Sequence, residues 1–331
     1  MKTLENYFLQ FRNNIVGIDQ EFTSACGIKK IIYADWIASG RLYNPIEQKL
    51  LFRFAPFVGN THSESSITGT LMTNSYHKAQ IIIKKHVNAS KDDVIISAGF
   101  GMTTVVNKLQ RILGLKIPEK YRDCVSIQEV DKPVVFITHM EHHSNQTSWL
   151  ETIADVEIVE PNEQGLINTE NLEFLLNRYN NRKVKIGSFT AASNVTGIRT
   201  DYHKLAKIMH QHGGICFVDF AASAPYVNIN MHPEDPLEKL DAIFFSPHKF
   251  LGGPGTAGVV IFDKQLYKCK IPDHPGGGTV DWTNPWGEHK YINDIEARED
   301  GGTPGFLQTI KTALCIRLKE QIGVENILQR E

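Results

Sequence analysis

The chain has 331 residues, room for about two domains and a sizeable core, and its 35 Lys+Arg against 37 Asp+Glu give a formal charge of −2. That balance argues against nucleic acid or an acidic membrane as the main partner, and no apolar run approaches the roughly 20 residues that span a bilayer. The five cysteines, Cys26, Cys124, Cys216, Cys269 and Cys315, are odd in number, far apart and form no CxxC pair. A disulfide framework or zinc ribbon is therefore not expected, and a reducing, cytoplasmic setting fits best. The first residues mix charged with apolar side chains and lack the apolar stretch of a secretory signal.

The segment up to Gly69 reads as irregular, apart from a helix over Leu4 to Phe11. A second helix is expected from Thr70 to His86, with Ile81, Ile82 and Ile83 partly buried. A short strand at Val94–Ile96 leads to a helix at Met102–Leu113. Further strands are expected at Val134–Thr138, Val156–Val159, Val184–Thr190, Ile215–Phe220, Ala242–Ser246 and Gly258–Phe262, where β-branched and aromatic residues cluster. Between them fall helices at Leu172–Tyr179 and Tyr202–His212, the latter closed by Gly213-Gly214, and a short helical turn at Leu237–Leu240. Near the end, TALCIRLKE reads as a helix with Cys315 in the core. Strands that alternate with helices in this way predict an α/β fold with a mostly parallel sheet flanked by helices. Ligands of such sheets bind beyond the carboxyl ends of the strands.

The residues at those ends carry chemistry. Ser97 to Thr104 form a small, glycine-containing turn into a helix: either a phosphate cradle or an ordinary turn with a Thr cap. His139, His142 and His143 invite a metal reading, but their order matches neither HExxH nor HxxEH. One ring facing a cofactor is the other reading. Asn194 either caps a turn or bonds a ligand oxygen. Asp219 ends an apolar strand, where a carboxylate needs a partner; it is a helix cap, a metal ligand or the partner of a buried cation. Lys249 sits beside the glycine-rich run Gly252–Gly255, and a desolvated lysine can bind an aldehyde covalently. A helix start with hydroxyls, a histidine, an asparagine, a carboxylate and a lysine at the ends of one sheet are what a pyridoxal phosphate site needs.

With these residues in view, the chain resembles the class V aminotransferase family of fold-type I pyridoxal phosphate enzymes, from Tyr33 to about Leu307. Within it the cysteine desulfurase and selenocysteine lyase branch is the nearest likeness. The resemblance is carried by YADWIASG from Tyr33, NTHSESS from Asn60, GMTTVVN from Gly101 and MEHHSN from Met140. It continues in SNVTG from Ser193, VDFAAS from Val218, SPHKFLGGPGTAG from Ser246 and REDGGTP from Arg298. It implies that Lys249 binds the cofactor aldehyde and later moves protons, that His142 stacks on the ring, and that Asp219 pairs with the ring nitrogen. Asn194 would sit near the ring hydroxyl. Gly101, Met102, Thr103, Ser246 and His248 would hold the phosphate, and Thr279 would reach the partner's phosphate in a homodimer. Ala38 and His62 would face the substrate, a small amino acid. No metal is implied, and neither nucleic acid nor a membrane is a partner.

Some positions depart from the family pattern. Ala222 replaces a glutamine that bonds the ring hydroxyl, Ser63 replaces an arginine, and Met102 replaces the first threonine of the phosphate turn. The chain also stops at Glu331, where the family continues for on the order of 100 residues. That stretch carries the arginine that clamps the substrate carboxylate and, in desulfurases, the nucleophilic cysteine. The expected organisation is an N-terminal segment at 1–69 (part of a small domain and of the active-site entrance), a large cofactor-binding domain at 70–308, and the start of a truncated small domain at 309–331. The expected function is a desulfurase-like enzyme. Three alternatives stand beside it: another class V aminotransferase reaction, a non-catalytic protein that keeps the fold, and a metalloenzyme built on HMEHH.

Overall fold

A computed structural model describes residues 4–61 and 65–330. The N-terminal segment holds α1 (Leu4–Arg12), a hairpin of β1 (Glu21–Ser24) and β2 (Gly27–Lys30), and α2 (Asn44–Lys49), which runs on through a π turn at Leu50–Phe54. It is thus less irregular than the sequence suggests. The hairpin strands are almost wholly exposed, so they lack the alternation that marks a half-buried strand.

Next comes α3 (Ile67–His86), which begins before Thr70 because the Ser66 hydroxyl accepts the Gly69 N–H at 3.1 Å. Residues 81, 82 and 83 lie about 100° apart around this helix. They cannot share one face: Ile83 is fully buried, whereas Ile81 is 64% exposed, which corrects the expected burial of Ile81.

The central sheet follows, with β3 (Asp93–Ala98), α4 (Met102–Ile112), β4 (Val134–Thr138), α5 (His143–Leu150), β5 (Asp155–Val159), α6 (Thr169–Arg178), β6 (Lys185–Thr190), α7 (Tyr202–Gln211), β7 (Ile215–Asp219), β8 (Ala242–Phe245) and β9 (Gly258–Asp263). The strand order is β3-β9-β8-β7-β6-β4-β5. Only β9 runs antiparallel to its neighbours. The expected turn at Leu237–Leu240 is a 3-10 turn at Pro236–Glu238. A hairpin of β10 (Val280–Thr283) and β11 (His289–Tyr291) follows, then α8 (Ile295–Glu299), α9 (Phe306–Ile322) and α10 (Val324–Arg330).

Both faces of the sheet are covered, which is why its strands read as continuous apolar runs. On β7, β8 and β9, Val218, Ile243 and Ile261 enter one core with α3, α7 and α9, while Phe217, Phe244 and Val260 enter the other with α4 and Trp149 of α5. Cys315 of α9 is buried in the first of these cores, as expected. No helix of the described residues is long and apolar enough to cross a membrane.

Candidate active site

The carboxyl ends of β3, β4, β6, β7 and β8 open into one cavity of about 380 Å³. Antiparallel β9 begins at the same edge, with Gly258 paired to Ala98. A Cβ at Gly258 would stand 2.0 Å from the Gly101 carbonyl oxygen, so the absence of a side chain lets the turn before α4 close onto the sheet. Gly101 itself has φ +81. A Cβ there would come within 3.1 Å of Ser246 Oγ and 3.6 Å of the His248 ring. The expected Thr cap is absent: Met102 N–H donates to Ser246 Oγ at 2.8 Å, and Thr104 Oγ1 instead accepts the Phe100 N–H at 3.2 Å. The Thr103 hydroxyl meets the Ser144 hydroxyl at 2.6 Å, so two helix starts, α4 and α5, share one wall.

Ser246 to Lys249 leave β8 in a tight 3-10 turn. Gly40 braces that turn, its N–H donating to the His248 carbonyl at 2.9 Å. His248 Nδ1 lies 3.3 Å from Ser39 Oγ. Lys249 lines the cavity, and burial lowers its pKa against the pull of Asp219 and then Asp35. Asp219 ends β7 with its Oδ1 accepting the Ala221 N–H at 2.8 Å. Burial raises this carboxyl to about 6. Burial also lowers His142 and His248, and in both cases the Lys249 charge acts in the same direction.

The predicted residues Ala38, Gly101, Met102, Thr103, His142, Asn194, Asp219, Ser246, His248 and Lys249 all line this cavity. Asn194 is presented by a turn in which Ser193 Oγ accepts the Val195 and Thr196 N–H groups, each at 3.2 Å. Ala222, the departure from the family glutamine, lies in the same wall. Thr279 does not line it; it is fully buried and its hydroxyl donates to the Gly276 carbonyl at 2.6 Å. His62 and Ser63 lie outside the described residues.

The rings of His142 and His143 stay close, with centroids 5.8 Å apart, whereas His139 turns elsewhere. His139 Nε2 donates to the Gly165 carbonyl at 3.0 Å, while His142 Nδ1 accepts the Ser144 N–H at 3.1 Å as the cap of α5. Among the described residues no cluster of three or more metal-ligating side chains is assembled.

Two participants escaped the sequence reading. Ser144, inside the MEHHSN run, faces the cavity. Near it the half-buried Glu141 carboxylate accepts from Thr138 Oγ1 (2.7 Å), the Thr190 N–H (2.9 Å) and Asn145 Nδ2 (2.6 Å). It ties the ends of β4 and β6 to α5, and burial raises it to about 7. The signal for Glu141 was present in the run itself, as an acidic residue three positions beyond the last residue of an apolar strand.

The donor set suits pyridoxal phosphate. Hydroxyls, a histidine and a helix start answer a phosphate. A buried carboxylate with one backbone donor answers a pyridinium nitrogen, and a desolvated amine answers an aldehyde. The sheet order, the β8 lysine turn and this donor set together define a fold-type I architecture. Two solved structures share the fold. The apo cysteine desulfurase from Thermococcus onnurineus superposes with a TM-score of 0.75 at 22% identity, covering 96% of this chain and 71% of that one. The cysteine desulfurase CsdA from Escherichia coli gives 0.72 at 21%, covering 96% and 72%.

The model of the family "Aminotransferase class-V" matches residues 32–331, and the chain belongs to that family. Among curated relatives, a probable cysteine desulfurase of Halalkalibacterium halodurans is 28% identical over 318 residues, which is 95% of this chain and 72% of the relative. One from Staphylococcus aureus is 28% identical over 309 residues, 92% and 69% of the two chains.

Proposed function

We propose that this chain binds pyridoxal phosphate covalently through Lys249 and acts on a small amino acid, with removal of sulfur from cysteine as the leading reaction. The observation that carries this reading is the convergence of Lys249 and Asp219, from adjacent strands, on a cavity walled by the start of α4. Relatives named as probable cysteine desulfurases support the choice of reaction. When bound, the cofactor supplies an aldehyde that captures amines and a ring that takes up electrons from the substrate.

The chain's own residues would do the rest. Gly101, Met102, Thr103, Ser246 and His248 hold the phosphate, and Asp219 holds the ring nitrogen in its charged form. His142 offers a neutral ring face, because desolvation and Lys249 disfavour its proton. Asn194 serves the ring hydroxyl without help from position 222, where Ala222 has no donor. Lys249, its amine pKa lowered by burial, takes and returns the proton at the substrate's α-carbon. Ala38 borders the substrate. A homodimer in the cytoplasm completes the reading, as does the division at residues 69 and 308; for Thr279 to reach the partner's phosphate, its hydroxyl would have to leave the Gly276 carbonyl.

None of the described cysteines lines this cavity, so the sulfur acceptor in this reading is a thiol from outside it. The same observation favours a second reading, amino-group transfer, in which no thiol is needed.

Absorbance of the protein with pyridoxal phosphate, before and after borohydride, followed by peptide mapping, tests the site. A visible band abolished by reduction, with the label on Lys249, is expected; Lys249→Ala should keep the fold and lose the label. A label on another lysine refutes the assignment. Cysteine with added dithiothreitol should then yield sulfide and alanine, whereas mercaptopyruvate, with the sulfur retained and no ammonia released, would establish amino-group transfer.

A further inference from the structure

Lys319 lies on α9, only 3% exposed, and does not line the cavity described above. Its ammonium donates to the carbonyls of Ala224 (2.7 Å) and Val227, and to His86 Nε2 (3.1 Å). His86 Nδ1 donates in turn to Glu320 Oε1 at 3.3 Å, which leaves Nε2 as the acceptor. Three N–H donors thus meet three acceptors. The ammonium also stands 5.8 Å from the centroid of the Phe250 ring, within cation–ring range.

The partners are telling. Ala224 and Val227 belong to the loop that leaves Asp219, and Phe250 directly follows Lys249. His86 closes α3, the helix against which α9 packs. One buried cation therefore grips both segments that deliver the two opposite charges of the cavity. Packing alone does not call for such a residue, since burying an ammonium is unfavourable and apolar side chains fill the same volume without that cost. Burial draws the Lys319 amine down to about 7, a measure of that cost.

We propose that Lys319 is a positioning residue that locks the loop after Asp219 to the turn carrying Lys249, so that carboxylate and amine keep the separation the cofactor needs. The inference rests on the reading of the cavity as a pyridoxal phosphate site.

Wild type and Lys319→Met are titrated with pyridoxal phosphate, and the Kd and the pH midpoint of the visible band are recorded, with circular dichroism as the check on folding. Wild type is expected to show the band. Folded Lys319→Met should bind about tenfold more weakly or worse, with a displaced midpoint, and Lys319→Arg should recover part of the affinity. If Lys319→Met does not fold, Phe250→Leu takes its place. That variant spares every hydrogen bond of Lys319 and removes its ring contact beside Lys249, along with the packing of Phe250 on Phe245, and its midpoint should also move. A Kd and midpoint within about twofold of wild type in the folded variant overturn this inference and leave the cofactor reading standing. No band in wild type overturns the cofactor reading itself.

Discussion

Asp219 and Glu141 are carboxyls held away from water, and in the ligand-free chain their environment favours the proton. Asp219 rises from 3.8 to about 6 and Glu141 from 4.5 to about 7, in both cases chiefly through burial. At these two sites the folded chain thus binds protons that the unfolded chain has already released, and their contribution to stability falls as pH rises from about 4 to about 7. Asp219→Asn removes one of these groups. The ligand-free variant should be more stable than wild type at neutral pH by about 1–3 kcal/mol, with the gap closing toward about pH 4. Thermal unfolding across that range measures it, and a variant less stable than wild type at neutral pH would contradict the account. The same substitution should weaken cofactor binding, because an amide holds no charge opposite the ring nitrogen. Asp219 and Lys249 were legible in the sequence because each closes an apolar run. The burial of Glu141 was not, since three separate elements enclose it.

The elements that build the site meet through backbone. Gly258 opens β9 directly under the Gly101 carbonyl, and Gly40 lies against the Phe250 carbonyl, where a Cβ would stand 2.0 Å away. Gly258→Ala should force the start of α4 off the sheet and cost about 1–3 kcal/mol, the range for overpacking. Chemical denaturation reads the loss, and cofactor affinity should fall with it; an unchanged unfolding midpoint would show that the turn yields without strain. The parallel strands were legible to within a residue or two because burial on both faces demands uninterrupted apolar runs. The β1–β2 and β10–β11 hairpins were not, because most of their residues are exposed and little burial shapes their composition.

At the scale of the molecule, α9 returns from the far end of the chain to pack on α3. It places Ile310, Ala313, Cys315 and Ile316 in the same core as β7, β8 and β9. Large apolar side chains are also left exposed: Phe100 is 94% exposed at the turn before α4, and Trp286 is 85% exposed between β10 and β11. In the proposed homodimer, Trp286 is expected to lie at the interface, where Trp is enriched. Sedimentation should give about twice the 37.3 kDa of one chain, and Trp286→Glu should lower that value. A monomer under conditions where the cofactor is bound would remove the homodimer and the role given to Thr279.

The sequence by itself determined the sheet, the order of its strands along the chain and the motif residues at their ends. These are local properties: an apolar run, a glycine that permits a turn, and the residue that follows it. The tertiary structure decided which of those ends meet. It turned His139 away from His142 and His143, kept Thr279 out of the cavity, closed the α4 turn on Gly258, and set Lys319 against both the loop that follows Asp219 and the Phe250 ring next to Lys249. Such placements depend on contacts between residues tens to hundreds of positions apart, and no local pattern encodes them.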